Sequence, residues 1–272
     1  MIIADADPEF RGGPAQVGLQ RAVWARTWET TDTPGLTHGG RLVGVDELDR
    51  LGDAVVERIY AAMGAVIVKF IPADAEADFI DRFHAPERRF RAWDVFVGGA
   101  EARQASAEYV SNFDLPDGWR LSLLDADAPA ETIAEVQDVQ EISGVAPVPG
   151  YYQRGHAVPA VVALLADDGG KIVATAQGQQ RHHAAGPWSG YIFGGMAAVH
   201  PDHRRRGFGT LINAHMVDQA FARLDCAVVY EHARKDNQAS RGMIEASGLH
   251  LDKHYRCVMF HDATRFGEEF TK

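Results

Sequence analysis

The stretch that most restricts the fold is YIFGGMAAVHPDHRRRGFGTLINAHMVDQAFARL, residues 191–224. The apolar run at 191–199 has the composition of a buried strand, and its glycine pair, Gly194 and Gly195, signals a bulge or a close backbone approach. Pro201 lacks the N–H that ladder pairing needs and ends the strand. Arg204, Arg205 and Arg206 follow, then Gly207 and Gly209 flank Phe208 where apolar residues take up helical spacing. Strand, basic loop and helix must stand in that order. The first turn of a helix offers free N–H groups and the positive end of its dipole. Glycines there let the backbone approach a ligand. The pattern is an anion site, best suited to phosphate or pyrophosphate.

The rest of the chain makes that basic cluster an exception. The formal net charge is -11, from 27 basic and 38 acidic residues. General nucleic-acid binding is therefore not expected, whereas an acidic field favours amine-bearing substrates. An isolated arginine triplet would be read as a solvated turn; the proline and the glycines at a helix start argue for a ligand instead. Two nucleotide motifs compete. Gly207 and Gly209 could open G-x-G-x-x-G, with Glu231 about 20 residues on as a ribose-binding acid, but Ile212 holds the third glycine position. No Walker loop is present.

Around this core, patterning predicts a mixed α/β chain. Residues 1–44 read as irregular, apart from a short helix around 17–28. Then come a helix (45–64), a strand (65–71), a short helix (73–84) and a strand (88–98). Residues 99–118 read as a connection. A strand, a helix starting near Pro129, and a hairpin around Asp167-Asp168-Gly169-Gly170 lead into the strand at 191. Beyond the arginine loop the order is helix, strand, helix closed by Gly248, and one or two terminal strands.

The residues Val199, Pro201, Arg204, Gly207 and Gly209 fill V-x-P-x-x-R-x-x-G-x-G, and in this they resemble the acyl-CoA pyrophosphate signature of the GNAT superfamily of N-acetyltransferases. A second signature of that family, N-x-x-A-x-x-x-Y-x-x-x-G-F, falls in register on Asn237, Ser240, Ile244, Gly248 and Leu249, with only the asparagine and the glycine identical. The resemblance covers roughly residues 119–261. It implies a mostly antiparallel central sheet flanked by helices, and acetyl-CoA as cofactor. By that resemblance, backbone amides from Arg205 through Arg206, Gly207, Phe208 and Gly209 to Thr210 hold the pyrophosphate, with charge supplied by Arg204, Arg205 and Arg206. The strand segment Met196, Ala197 and Val199 offers its edge to the pantetheine amides, where that strand diverges from the next. Asn237 lies near the pantetheine arm with Ser240, or is a plain helix cap.

Acetyl transfer to an amine needs a base, donors for the oxyanion and an acid for the thiolate. Many relatives use a tyrosine where this chain has Ile244, and a hydrocarbon donates no proton. The catalytic candidates are Glu231, as a base acting through water, and Tyr255, as a replacement acid. His200 and His203 flank the anion loop. His182 and His183 are expected on a solvent-facing hairpin loop. Cys226 and Cys257 read as reduced packing residues, since they lack metal-ligand spacing. No metal site stands out.

The predicted division is a smaller N-terminal α/β domain, 1–115, with a degenerate resemblance to a GNAT unit, and an acetyltransferase domain, 116–272. The first domain is expected to wall the acceptor site, pair with the other sheet, or carry a homodimer contact. The function expected is acetyl transfer from acetyl-CoA to a primary amine of a small or amino-acid-like molecule, by direct attack in a ternary complex. The alternatives are a non-catalytic acyl-CoA-binding regulatory module and a dinucleotide-binding oxidoreductase. With no signal-peptide pattern and no run of about 18 apolar residues, no membrane association is expected and a cytoplasmic location is.

Overall fold

Apolar spacing and turn residues account for most elements of the chain. The computed structural model describes residues 9–267. It opens with α1 (Pro14–Trp24), α2 (Thr27–Asp32), β1 (Leu36–His38) and β2 (Val43–Val45), so the segment read as largely irregular contains two helices and a strand pair. The helical spacing at 45–64 resolves into α3 (Leu48–Leu51) and α4 (Asp53–Met63). Gly52 separates them at φ +74°, which no right-handed helix accommodates. β3 (Ala65–Pro72), α5 (Glu76–Arg82) and β4 (Arg88–Gly98) follow the predicted order.

Residues expected to be a connection form α6 (Ala100–Asn112) instead. Its fully buried positions are Ala102 and Ser106, and the larger Tyr109 and Val110 pack on the core only in its second half, so the first half of the helix carries little apolar periodicity. The second half runs β5 (Arg120–Leu123), α7 (Ala130–Ile142), α8 (Gly150–Gln153), β6 (Ala160–Ala166), β7 (Ile172–Gln179), β8 (Tyr191–Val199), α9 (Phe208–Arg223), β9 (Val228–Ala233), α10 (Gln238–Ala246), β10 (His250–Asp262) and α11 (Ala263–Phe266).

The ten strands form one sheet in the order β1-β2-β3-β10-β4-β9-β8-β7-β6-β5. Every pairing is antiparallel except β2 with β3 and β8 with β9. This mostly antiparallel sheet is the architecture the arginine-loop motif implies. It is not the parallel, doubly wound sheet on which the G-x-G-x-x-G reading of Gly207 and Gly209 depends. The late strand β10 lies between β3 and β4, both from the first half of the chain. Side-chain pairs reinforce this crossing: Asp94 on β4 takes Arg241 from α10, and Arg256 Nε from β10 at 3.4 Å.

Among the described residues, the two largest of five apolar clusters cover much of the sheet. In one, Leu211, Ile212 and Met216 of α9 pack on Ala174, Ile192 and Val229, with Ala102 of α6 beside them. In the other, Val56 and Met63 of α4 and Phe79 of α5 pack on Val66, Val68 and Phe260. Each buried aliphatic or aromatic side chain contributes ~1.5–3 kcal/mol. The two cores hold the central strands β4, β9 and β8 in place, and the site is built there.

Candidate active site

β8 and β9 are parallel, and parallel strands held only at one end can diverge. They pair only from Tyr191 opposite Val228 to Phe193 opposite Tyr230. Beyond that point β8 turns away. Its register with β7 shifts near Thr175 and Gln177, and Met196 adopts φ +55°, a strained conformation for a side-chain-bearing residue. The strand edge from Gly194 to Val199 is thus left unpaired on the β9 side. Between the two strands lies a cavity of about 300 Å³. Met196 and Ala197 line it from one side, Glu231 and His232 from the other. Gly194 makes room there: a Cβ at that position would meet Met216 Cε at 2.8 Å and Glu231 Cγ at 3.0 Å.

At the other end of the divergence stands the basic loop. Gly207 precedes α9 at φ +80° and no side chain caps the helix, so its first N–H groups are open to a ligand. Arg205 is also left-handed, at φ +60°. Alternation of this kind turns successive N–H groups into a concave anion cradle. A Cβ on Gly207 would meet Phe113 Cε2 at 2.9 Å, so packing and backbone both demand glycine. Gly209 differs. A Cβ there would find Met243 Sδ at 3.7 Å and Val199 Cγ2 at 3.9 Å, which is ordinary contact. Protein packing does not require glycine at 209; a ligand against the backbone would. The residues present therefore fit a pyrophosphate.

The three arginines separate into different tasks. Arg204 Nε donates to Val199 O at 3.2 Å and its Nη2 to Ser143 O at 3.3 Å, so it pins the loop to β8 and to the end of α7. Arg206 lies over the rings of Phe208 and Trp119, at 4.8 and 5.2 Å. Arg205 is exposed. Thr210 is half-buried at the start of α9.

Glu231 is 1% exposed, and burial pushes its carboxyl up to about 7 against the pull of one hydrogen bond. That bond comes from Asn213 Nδ2 on α9, at 2.8 Å from Glu231 Oε1. Asn213 Nδ2 also reaches Ser247 Oγ at 3.2 Å. A carboxyl poised near neutrality on a cavity wall is chemically suited to accept and release a proton.

The other sequence candidates separate. Asn237 caps α10, accepting from Ser240 N at 3.1 Å, and also lines the cavity. Ser240 and Ile244 also line it. Tyr255 does not: its ring packs edge-on to Trp188 and Phe70, at 5.4 and 5.9 Å. His200 and His203 stay beside the loop, His203 edge-on to Trp119 at 5.3 Å. Cys226 and Cys257 are free thiols, and burial pushes each up to about 12.

His182 corrects the sequence reading. It is buried, not solvent-facing: its Nδ1 meets the Asp46 carboxylate and its Nε2 lies 2.8 Å from the Tyr230 hydroxyl. Burial lowers it to about 4 despite Asp46, so the imidazole is neutral. It donates from Nδ1 and accepts from Tyr230 at Nε2. Lys69 Nζ donates in turn to the Tyr230 oxygen at 3.4 Å. The sequence reading missed Lys69, along with Arg41, Arg181 and Thr37, all of which line the cavity. The signal available was a lysine inside the apolar strand AVIVKFI.

A mostly antiparallel sheet, a splayed parallel pair and an uncapped glycine-arginine helix start define a GNAT-like acyltransferase fold. Residues 129–249 match the Acetyltransferase (GNAT) family, and this segment is a GNAT acetyltransferase domain. The solved structures it resembles include a GCN5-related N-acetyltransferase from Kribbella flavida, at 15% identity and TM-score 0.53, covering 84% of this chain and 78% of that one. A tandem GNAT protein from the clavulanic acid biosynthesis pathway superposes at TM-score 0.53 with 16% identity, over 92% of this chain and 89% of its own. A GCN5-related N-acetyltransferase-like protein from Streptococcus suis gives TM-score 0.52 and 15% identity, over 89% and 93%. These likenesses establish the fold. No curated protein matches the chain in sequence.

Proposed function

We infer that this protein transfers an acetyl group from acetyl-CoA to a primary amine by direct attack in a ternary complex. The observation that carries the reading is the position of Glu231, a buried carboxyl near neutrality, on the wall of the cleft that the diverging strands open. The N–H groups of residues 205–210 would hold the pyrophosphate, and the free edge of β8 at Met196, Ala197 and Val199 the pantetheine amides. Asn237 and Ser240 would border the same arm. Bound acetyl-CoA would supply an activated thioester: the new C–N bond replaces the C–S bond, and coenzyme A leaves as the thiolate, which takes up the second proton of the amine.

The chain's own residues position the amine and move its proton. Glu231, ionised, accepts a proton from the ammonium, and the bond from Asn213 keeps the carboxylate oriented. The apolar walls, Ile244 and Met243 among them, exclude water. Holding the amine against the thioester supplies much of the acceleration. Tyr255 packs away from the cavity and takes no part in this scheme.

The division at residues 115 and 116 is retained as a proposal, with β10 as the strand that ties the second unit into the first. Ile244, 1% exposed at the position of the family's tyrosine, favours a second reading, a regulatory domain that binds acyl-CoA without turnover. The two are separated by incubating the protein with acetyl-CoA and a panel of amines, following free thiol and the mass of the acetylated product. Product formation that depends on the protein supports the enzyme; tight acetyl-CoA binding with no product from any amine supports the regulatory domain.

A further inference from the structure

The cavity end away from the basic loop collects more positive charge than the fold requires. Arg41 from the β1–β2 turn, Lys69 from β3 and Arg181 from the loop after β7 all line it. Among the described residues, none of the three forms an ion pair with a carboxylate. Arg41 Nη2 contacts Met196 Sδ at 3.5 Å. Arg181 donates from both Nε, at 2.9 Å, and Nη2 to Gln179 Oε1, which leaves its Nη1 end open to the cavity, and its guanidinium lies 3.8 Å over the Phe193 ring. Lys69, 3% exposed, has the Tyr230 hydroxyl. All of these partners are neutral. Thr37, 1% exposed on the same wall, has a hydroxyl oxygen that no protein group hydrogen-bonds.

Crowding these cations has a cost. Burial and the Arg181 charge together lower Lys69 to about 7 and Arg41 to about 10. The carboxylates nearby already have partners: Asp46, just after β2, meets His182 through Oδ2 while its Oδ1 accepts no hydrogen bond, and Glu231 on β9 accepts from Asn213. Asp46 and Cys257 each raise Lys69, by less than burial and Arg181 lower it. His232 is kept neutral by burial and lies 3.0 Å from Cys257 Sγ. The Asp46–His182–Tyr230 chain holds Lys69 in place at the wall. One buried and two half-buried cations that share a cavity wall with no carboxylate in ion-pair contact repel one another, and a bound anion relieves that repulsion.

We propose that Arg41, Lys69, Arg181 and Thr37 form a carboxylate subsite, and that the amine acetylated here carries a carboxylate. The proposal rests on the acetyltransferase reading for its account of the amine, and on the cation cluster for its account of the anion. Guanidinium forks match the two oxygens of a carboxylate, while Lys69 and Thr37 add single donors. Stacking on Phe193 fixes the Arg181 plane before the ligand arrives, so little is lost in ordering it.

Calorimetry on the full chain, saturated with coenzyme A, tests this with free amino acids and their C-terminal amides as probes. The expected result is that at least one acid binds tenfold or more tightly than its amide. Arg41→Gln and Arg181→Gln should erase that difference while leaving coenzyme A affinity unchanged. Arg181→Lys, which keeps the charge and loses the fork, should fall between. Equal binding of acids and amides, binding of neither, or a preference that survives both glutamine variants overturns the subsite. Turnover with acetyl-CoA on the same panel separates this from the parent reading. Acids bound but never acetylated sinks the enzyme and leaves the subsite; acids and amides acetylated alike does the reverse. A third arm offers succinyl-CoA with amines that lack a carboxylate. Preference for that donor would put the carboxylate on the acyl group and overturn the proposal.

Discussion

Asn213 of α9 and Glu231 of β9 are joined by a 2.8 Å hydrogen bond between two buried side chains, one of which lines the cleft. Burial alone would hold this carboxyl neutral further into the alkaline range; the amide brings it back to about 7. Glu231→Gln keeps the shape and removes the base. Acetyl transfer should fall by about 10²–10⁴-fold, with acetyl-CoA affinity unchanged. Activity of the wild type should rise with pH through about 7, as the carboxyl ionises. Initial rates across pH 5–9 with saturating acetyl-CoA check both, and a Glu231→Gln variant of undiminished rate would remove Glu231 from the mechanism.

The two glycines of the basic loop should respond differently to substitution. Gly207→Ala forces a methyl group into a left-handed residue against Phe113 and should cost about 1 kcal/mol or more of stability. Gly209→Ala meets only ordinary contacts and replaces glycine within a helix, so melting temperature should hold or rise slightly. Coenzyme A affinity should nonetheless drop tenfold or more for Gly209→Ala. Equal coenzyme A affinity in that variant would mean that the backbone at 209 does not touch the ligand.

Lys69 titrates at about 7 in the fold and near 10.5 unfolded. A depressed lysine is a destabilising group: its penalty is complete below pH 7 and fades as pH climbs towards 10.5. Lys69→Met should therefore stabilise the protein at pH 6, by on the order of 3 kcal/mol, and do progressively less above neutrality. Urea denaturation at pH 6 and pH 9 measures the difference. A variant less stable than wild type at pH 6 would contradict the burial argument.

Asp94 holds Arg241 and Arg256 against β4 from two different elements. Its side chain is 5% exposed, so deleting it leaves Arg241 without a carboxylate in a poorly hydrated place and Arg256 with only Glu76, at 3.5 Å. Asp94→Ala should lose on the order of 3 kcal/mol, read from denaturant midpoints. Asp94→Asn, which still accepts a hydrogen bond, should lose less.

The arginine loop was legible because its chemistry is local: strand end, proline, charge, glycine and helix start fall within a few consecutive residues. The hairpin β6–β7 and the bulged strand β8 were legible for the same reason. α6 was not, since its first half buries only Ala102 and Ser106 and its larger packed residues, Tyr109 and Val110, come late in the helix. The cation cluster escaped because Arg41, Lys69 and Arg181 come together only when the first half of the sheet docks against the second. His182 shows the same limit. A histidine in a polar, glycine-containing loop reads as exposed, and only the folded chain brings Asp46 and Tyr230 around it. Glu231 was legible as a candidate by its position on a strand; its poise near neutrality depends on Asn213, contributed by a helix that the sequence gives no reason to pair with it.

The insertion of β10 between β3 and β4 has a temporal side. A chain that emerges from its N-terminus can form α4, β3 and α5 early, but the facing edges of β3 and β4 stay open until residues 250–262 arrive. Domains usually fold as they are completed during synthesis. Here the first half is completed last. Its two waiting edges are template surfaces for any free strand, and in a stalled or shortened chain they would be the places where misassembly starts.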